Sequence, residues 1–295
     1  MTLRLGLRYD PVARPGAGPD DAVRLQRAIV AHARDAEARG ADLVWLSERP
    51  FAAGAPVPAA FPLAAAIAAV THRMRIAVGP LAIALHHPLR VAEDAASLDG
   101  LSGGRVELGL GLGENVQAFD AFDVATAERV ARFEEGVALL RAAFAEGPIR
   151  LASRFCDATG LDVQPKPLQP AGIPLWLAAD SPAAAARAGR LGDGLLCRDP
   201  ALVTPFVTAW DEAGRPADLR RVSLELPRGP GPAADWIAAA RGLLASAPAV
   251  DLVLPALPPD ATPEASLDAL DAVARALPAA LRSRRDADGS ESRPF

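Results

Sequence analysis

The sequence predicts an α/β fold, a (βα)8 TIM barrel with a small hairpin insertion after the fourth helix. Short apolar runs alternate with longer helical runs along the 295 residues, which is typical of parallel strands joined by helices. Eight such strand–helix pairs follow one another in the chain. Within the strands, large apolar side chains fall at every second position, so one face of each strand is expected to meet helices and the other the barrel axis.

The first half of the chain supplies four of these pairs. Each strand is a short apolar run and each helix a longer periodic run, and the first helix ends against Gly40, a residue typical of helix ends. The predicted strands are Leu3–Tyr9, Asp42–Ser47, Arg75–Pro80 and Arg105–Gly111. The predicted helices are about Asp20–Arg39, Pro62–His72, Pro88–Gly100 and Ala125–Ala145.

The second half begins with a departure from this rhythm. Two short apolar pieces between Pro148 and Gln164 predict a hairpin, and prolines 165, 167 and 170 then predict an extended linker. The remaining predicted strands are Ile173–Ala179, Gly194–Arg198, Val222–Leu226 and Asp251–Leu254. The remaining helices are about Pro182–Arg190, Ala201–Gly214, Ala233–Ala245 and Pro263–Arg282. Residues 1–282 are predicted to form a single domain, and the polar residues 283–295 a disordered tail.

Composition excludes several classes of function. The net charge is −5 and the basic residues are dispersed, so no stripe suited to nucleic acid occurs. The two cysteines form neither a metal-ligand spacing nor a disulfide framework, and no leader is visible, which predicts a reducing, cytoplasmic location. The uncharged stretch from Ala52 to Val70 is interrupted by prolines, and we expect a loop and a core helix there rather than a membrane span.

Strand alternation also predicts charged residues inside the barrel. Arg8 in the first strand and Glu107 in the fourth both fall on the inward face. An unpaired buried charge costs several kcal/mol, roughly 3–5, so we expect these two side chains to form an ion pair.

The active site of such a barrel is expected at the carboxyl ends of the strands. Asp180-Ser181-Pro182 is a helix cap followed by proline, and free amides at a helix start attract phosphate, although a plain cap explains the same residues. The glycines at 109, 111 and 113 would allow backbone to approach a flat ligand. The candidates after the strands are Tyr9, Asp10, Glu48, Arg49, Phe51, Gly79, Pro80, His86, His87, Gly111, Leu112, Gly113, Glu114, Asn115, Asp180, Ser181, Cys197, Arg198 and Arg228.

Metal and thiol chemistry are both weakly indicated. His86 and His87 are adjacent and cannot easily serve one tetrahedral ion without other ligands, so no metal site is predicted and a structural pair is expected. Arg198 could lower the pKa of Cys197, but a buried inert thiol is the preferred interpretation.

Four segments carry a resemblance to a known family. They are Val44–Glu48, His87–Arg90, Leu98–Gly111 (LDGLSGGRVELGLG), and Pro165–Pro170 followed by Ile173–Trp176. As a set they resemble the luciferase-like monooxygenases, and the similarity extends in order from Leu3 to about Leu196. The resemblance implies a flavin across the carboxyl ends of the strands, either reduced FMN or an 8-hydroxy-5-deazaflavin coenzyme.

The resemblance also implies roles for particular residues. Glu48 matches the acidic residue beside the flavin. Asp180 and Ser181 match the phosphate contacts. The bulged third-strand end, which often carries a cis peptide and lies against the flavin ring, matches Gly79, Pro80 and Leu81.

Two positions depart from the family pattern. Arg49 stands where members commonly have a histidine for proton transfer, and a guanidinium does not deprotonate. We expect Arg49 instead to stabilise an anionic flavin or peroxide, or to bind phosphate. Leu112 stands where the closest relatives of true luciferases have an arginine, so phosphate affinity must come from helix amides, Ser181, and Arg49, Arg198 or Arg228.

Three functions remain open. The first is an FMN-dependent monooxygenase that takes reduced flavin from a separate reductase and uses O2 on a small organic substrate. The second is a deazaflavin-dependent hydride-transfer enzyme, and the third a non-catalytic barrel that binds flavin or a partner. The Ala-rich helix from Ala64 to Val70 suits close packing, and with the family's usual pairing through helices 2 and 3 it predicts a homodimer.

Overall fold

The computed structural model describes residues 2–10, 19–51, 59–226, 233–256 and 263–276. Its strands are β1 (Thr2–Tyr9), β2 (Leu43–Leu46), β3 (Arg75–Ala82), β4 (Val106–Gly111), β5 (Leu175–Ala179), β6 (Gly194–Cys197), β7 (Arg221–Glu225) and β8 (Ala249–Ala256). They pair in parallel and in chain order, and β8 returns to β1, so the described strands form a closed barrel. The predicted (βα)8 architecture is confirmed.

Helices cover the outside of this barrel. Within the described ranges they are α1 (Pro19–Ala38), α2 (Ala60–Val70), α3 (Pro88–Ser102), α4 (Val116–Ala121), α5 (Arg129–Phe144), α6 (Pro182–Leu191), α7 (Val203–Glu212), α8 (Ala233–Leu244) and α9 (Pro263–Ala276). The helix expected from Ala125 to Ala145 begins later, and a separate α4 precedes it. The Asn115 side chain accepts a hydrogen bond from the Gln117 backbone N–H at 3.1 Å, and this cap starts α4.

The hairpin predicted after the fourth helix is wrong as a pair of strands, since residues 146–174 contain none. Only the ends of a hairpin are present: Ile149 exchanges two backbone hydrogen bonds of 2.9 Å with Gly160 and Leu161. Further along, the backbone N–H of Arg154, at 2.8 Å, and the hydroxyl of Ser153 donate to the Glu135 carboxylate of α5. The backbone N–H of Arg154 is thereby withdrawn from a strand ladder.

The core has two layers, as strand alternation predicts. The large outward side chains of β1 and β4, such as Leu5 and Leu108, pack beneath the helices in one large apolar cluster. Inside the barrel lies a smaller cluster around Trp45 and Trp176, whose rings meet edge to face with centroids 6.1 Å apart. Because two indoles fill the axis at this level, the barrel is a packed core and not a pore.

The predicted ion pair between Arg8 and Glu107 is wrong. Both side chains are buried and inward, but Glu107 binds Arg4, whose Nη1 lies 2.8 Å from Oε1, and also binds Arg75. Arg8 binds Glu225 instead. The strands of a closed barrel are tilted, so side chains at equal height are displaced along the sequence from strand to strand, and Arg4 rather than Arg8 lies level with Glu107.

A network of charges therefore closes the amino-terminal end of the barrel. Arg4 also donates two hydrogen bonds, of 2.7 and 2.8 Å, to the carboxylate of Asp251 in β8. The indole N–H of Trp176 donates to Glu107 Oε2 at 2.7 Å. Glu107 and Asp251 are almost completely buried, and each carboxylate is matched by a guanidinium, as a buried charge requires.

Some expectations fall outside the described residues or stay predictions. The tail at 283–295, the last part of the final predicted helix and Arg228 lie outside. No helix in the described part of the chain is both long and apolar enough to cross a membrane. The single-domain assignment, the cytoplasmic location and the homodimer through α2 and α3 stay predictions.

Candidate functional site

A histidine–carboxylate pair lies at the carboxyl ends of β2 and β3. Glu48 follows β2, and its side chain is only 5% exposed. Its Oε1 accepts the backbone N–H of Ala82 at 2.9 Å, which ties the end of β3 to β2. The Nε2 atom of His86 lies 2.9 and 3.0 Å from the two Glu48 oxygens. A carboxylate only accepts hydrogen bonds, so Nε2 carries a proton, and in the neutral ring Nδ1 carries the lone pair.

Glu48 also determines how His86 titrates. Burial lowers the pKa of the imidazole, but the hydrogen bond and the negative charge of Glu48, together with the charge of Asp94, outweigh burial and raise this pKa above its ordinary value. The ring remains about one-third exposed (34%) and borders a cavity of about 190 Å³ between α5 and the start of α3. His86 is thus a strengthened base that solvent can reach.

The third strand is interrupted beside this pair by a bulge. Its register against β4 shifts between Val78 and Leu81, and the Gly79–Pro80 peptide bond is cis, as the family pattern implies. Gly79 has φ = +132°, and a Cβ there would collide with the carbonyl oxygen of Gly109. This position therefore requires glycine.

The bulge borders a floor of small residues. A Cβ added at Gly111 would lie 3.4 Å from Pro80 Cβ and 3.9 Å from Ala178 Cβ, so these three residues present a low surface free of long side chains. Gly113, with φ = +81°, packs against the end of β3. The structure brings Pro80 next to Gly111 and Gly79 next to Gly109, and cofactor binding by Gly79, Pro80 and Gly111 stays a prediction.

Other predicted contacts face elsewhere. The side chain of Leu81 is 1% exposed and belongs to the outer apolar cluster, and Leu112 packs against the same cluster. Only their backbone atoms are therefore available to a ligand on the floor. Asp180 lines a groove between α6 and α7 on the outside of the barrel, while Ser181 caps α6 and accepts the N–H of Ala184 at 3.4 Å.

Arginines at the mouth are held by carboxylates. Both Nε and Nη2 of Arg49 donate to Asp10, the second at 2.6 Å. Glu225 accepts from Arg8 and also from Arg198, whose Nε lies 2.9 Å away. Arg49 and Arg198, the sequence candidates for phosphate binding, are thus already paired within the described site. The Arg49–Asp10 hydrogen bond raises the pKa of Arg49, so that residue cannot serve as a proton acceptor.

The sequence places His86 among the candidates after the third strand, but the preferred interpretation there is a structural pair with His87. Adjacency of the two histidines is the only signal in the sequence, and it does not reveal the contact of His86 with Glu48. For Cys197 the inert interpretation fits the structure: burial, together with the charge of Asp199, raises its pKa to about 12. No group of three or more residues able to hold a metal ion occurs within the described ranges.

Comparison with known proteins identifies the family. The model of the luciferase-like monooxygenases matches residues 12–228. The chain belongs to this family. Among curated luciferase-like relatives, the F420-dependent glucose-6-phosphate dehydrogenase of Beutenbergia cavernae is 36% identical over 177 residues, 58% of this chain and 52% of the relative. The chain spans about half the length of the curated relatives it matches first.

Solved structures of luciferase-like proteins support the same fold. The monooxygenase RslO1 of Streptomyces bottropensis superposes with a TM-score of 0.79 at 22% identity, over 93% of this chain and 98% of that one. An F420-dependent secondary alcohol dehydrogenase, solved with an F420–acetone adduct, gives 0.71 at 17% identity over 92% and 98%. At these identities the likeness concerns the fold alone.

Proposed function

We propose that this luciferase-like protein is a deazaflavin-dependent oxidoreductase that exchanges a hydride with an alcohol or carbonyl carbon. The observation that carries the proposal is the Glu48–His86 pair beside the bulge. Removing a hydride from an alcohol leaves a hydroxyl proton that a base must accept, and a histidine polarised by a carboxylate suits that task. The F420-dependent names of the relatives at 31–36% identity support the same cofactor class.

The described residues fit a flat ring system. The floor of Gly111, Pro80 and Ala178 offers a low apolar face, and beside it the bulge interrupts the pairing of β3 with β4 between Val78 and Leu81. The amides at the start of α6, capped by Ser181, suit a phosphate of the cofactor. When bound there, a deazaflavin would supply a carbon that accepts or donates a hydride.

The chain's own contribution is orientation and proton transfer. Glu48 holds the Nε2–H of His86 and so fixes the ring and its tautomer. His86 takes the substrate's hydroxyl proton at Nδ1 during oxidation, and the imidazolium returns it during reduction. The cavity beside His86 gives that proton a route to water.

Anaerobic titration with F420 and with reduced FMN, each followed by fluorescence, tests the cofactor. We expect F420 to bind at micromolar concentration and more tightly than reduced FMN. Tighter binding of reduced FMN would contradict the proposal. It would favour the first interpretation of the sequence, a monooxygenase that receives reduced flavin from a separate reductase. If neither F420 nor reduced FMN binds at millimolar concentration, the result would instead support a non-catalytic barrel.

Substitution of Gly111 tests where the cofactor lies. Gly111→Leu places a branched side chain over Pro80 and Ala178, and we expect F420 affinity to fall at least about tenfold, or ~1.4 kcal/mol. Gly111→Ala is the matched control, because its Cβ would make ordinary contacts at 3.4 and 3.9 Å. Equal affinities of the leucine variant and the parent, with unchanged melting temperatures, would show that the ring binds elsewhere.

A further inference from the structure

Two aromatic side chains are exposed at the carboxyl end of the barrel. Phe51, which follows β2, is 58% exposed, and Phe122, at the end of α4, is 49% exposed. Their rings contact each other with centroids 5.4 Å apart and planes tilted by 50°. Burial of an aromatic side chain is stabilising, and two phenyl rings exposed to water lack much of this stabilisation. Such a pair is expected to meet an apolar group of a ligand.

This aromatic pair lies over the sector that holds the proposed site. Phe51 is three residues beyond Glu48. The Asn115 side chain donates to the carbonyl oxygen of Pro50 at 2.9 Å, which joins the β4–α4 loop to the loop after β2. Loops from β2 and β4 therefore bring the two rings together at the same end of the barrel as the bulge of β3, the strand between them.

The backbone beside both rings adopts a conformation that non-glycine residues rarely take. Phe51 has φ = +56°, and Asp123, directly after Phe122, has φ = +54°. A left-handed non-glycine residue costs of order 1–2 kcal/mol, and such costs cluster at ligand-binding sites. Asp123 closes α4 as an ordinary helix end, because the Val124 N–H donates to the Phe119 carbonyl at 2.9 Å. Phe51 is therefore the residue that carries conformational strain beside the aromatic pair.

The arginines named at the mouth already have carboxylate partners. Arg49 is bound by Asp10, and Arg8 and Arg198 share Glu225. A phosphorylated substrate would compete with these carboxylates for the guanidinium groups. A neutral substrate meets no such competition.

We propose that Phe51 and Phe122 form the substrate-recognition surface, and that the substrate is a neutral alcohol or ketone bearing an aromatic or bulky apolar group. This inference rests on the proposed function. The names of the glucose-6-phosphate dehydrogenase relatives describe a sugar phosphate substrate, which is polar and anionic. The inference therefore gives this chain a different substrate class from those relatives.

Saturation-transfer NMR on the purified full chain, without cofactor, tests the surface directly. The probes are acetophenone, a neutral aromatic ketone, and glucose 6-phosphate. We expect acetophenone to bind saturably and glucose 6-phosphate not to bind. Phe51→Ala and Phe122→Ala should each weaken acetophenone binding about three- to tenfold, as loss of one aromatic partner predicts. Phe51→Trp should retain binding.

Leu161→Ala is the matched control, because Leu161 is 50% exposed on the loop after α5 and away from the mouth. Equal weakening in this variant, no effect of either phenylalanine substitution, or saturable binding of glucose 6-phosphate would overturn the inference. Because no cofactor is present, retained ketone binding supports the inference even where F420 fails to bind. If the parent chain binds F420 but not acetophenone, the result contradicts this inference and leaves the proposed function standing.

Discussion

Replacing His86 by glutamine is expected to lower kcat for deazaflavin-dependent alcohol oxidation by about 10²- to 10⁴-fold, the usual contribution of a general base. Glutamine keeps a hydrogen-bonding group near Glu48 but cannot accept a proton at neutral pH. Cofactor affinity should change little, because His86 is not part of the Gly111–Pro80–Ala178 floor. The measurement is steady-state turnover with F420 and a secondary alcohol, together with a fluorescence titration of the cofactor.

His87→Gln provides the matched control for this substitution. His87 is exposed, and its contact in the structure is with Cys156 Sγ, 3.7 Å from Nε2, rather than with Glu48. We expect its kcat to stay within about twofold of the parent, as for other surface substitutions. Similar losses in both variants would mean that the histidine pair is structural, as the sequence alone suggested.

The pH profile separates a proton acceptor from a positioning residue. His86 must be neutral to accept a proton, and its pKa is raised, so kcat for oxidation should increase with pH through a midpoint above that of an ordinary histidine. In Glu48→Gln the hydrogen bond to a charged carboxylate is lost while burial still lowers the pKa of His86. The midpoint should therefore move to lower pH, and kcat should fall as well. A midpoint that does not move would exclude His86 as the titrating base.

The sequence predicts the fold better than the site. Alternation of short apolar runs with longer helical runs is a local signal, and it is sufficient to locate every strand of the barrel. The tilt of those strands is set by closure of the whole sheet, so sequence reasoning paired Glu107 with Arg8 although Arg4 and Arg75 bind it. Side chains that meet through barrel geometry cannot be matched from strand alternation alone.

The same limitation explains the site. Glu48 was recognised by its place after the second strand, but its partner His86 follows the third strand by several residues, and only the structure shows the 2.9 Å contact. Arg49 was expected to be available to a flavin or phosphate, yet Asp10 binds it. The bulge with its cis bond at Gly79–Pro80 is present as the family resemblance implies, while the role of these residues in cofactor binding stays a prediction.

Glu107→Gln is expected to destabilise the folded protein by about 3–5 kcal/mol, the cost of removing one partner from a buried ion pair. Arg4 and Arg75 would lose the carboxylate that both bind, with Asp251 left as a remaining acidic partner of Arg4. Urea unfolding followed by circular dichroism measures the effect. Arg39→Ala is the control: it removes exposed ion pairs to two residues of α9 and should cost no more than about 1 kcal/mol.

Lowering the pH should reproduce part of the loss of stability expected for Glu107→Gln. Burial alone would raise the pKa of Glu107, but the charges of Arg4 and Arg75 hold that pKa well below its ordinary value. The stabilisation is therefore present above the pKa of an unfolded glutamate and is lost as pH falls towards the folded value. In Glu107→Gln this part of the pH dependence should disappear. If stability falls with decreasing pH in the variant as it does in the parent, other carboxylates are responsible for the acid sensitivity of the fold.

The position of Glu107 makes the substitution informative about function as well. It occupies the second position of β4, near the amino-terminal end of the barrel, whereas Gly111 ends the same strand at the proposed cofactor floor. Barrels of this kind divide stability and chemistry between opposite ends. Folded Glu107→Gln should therefore bind F420 as the parent does, despite its lower stability. A parallel loss of cofactor affinity would mean that the charge network and the Trp45–Trp176 layer above it transmit distortion to the floor.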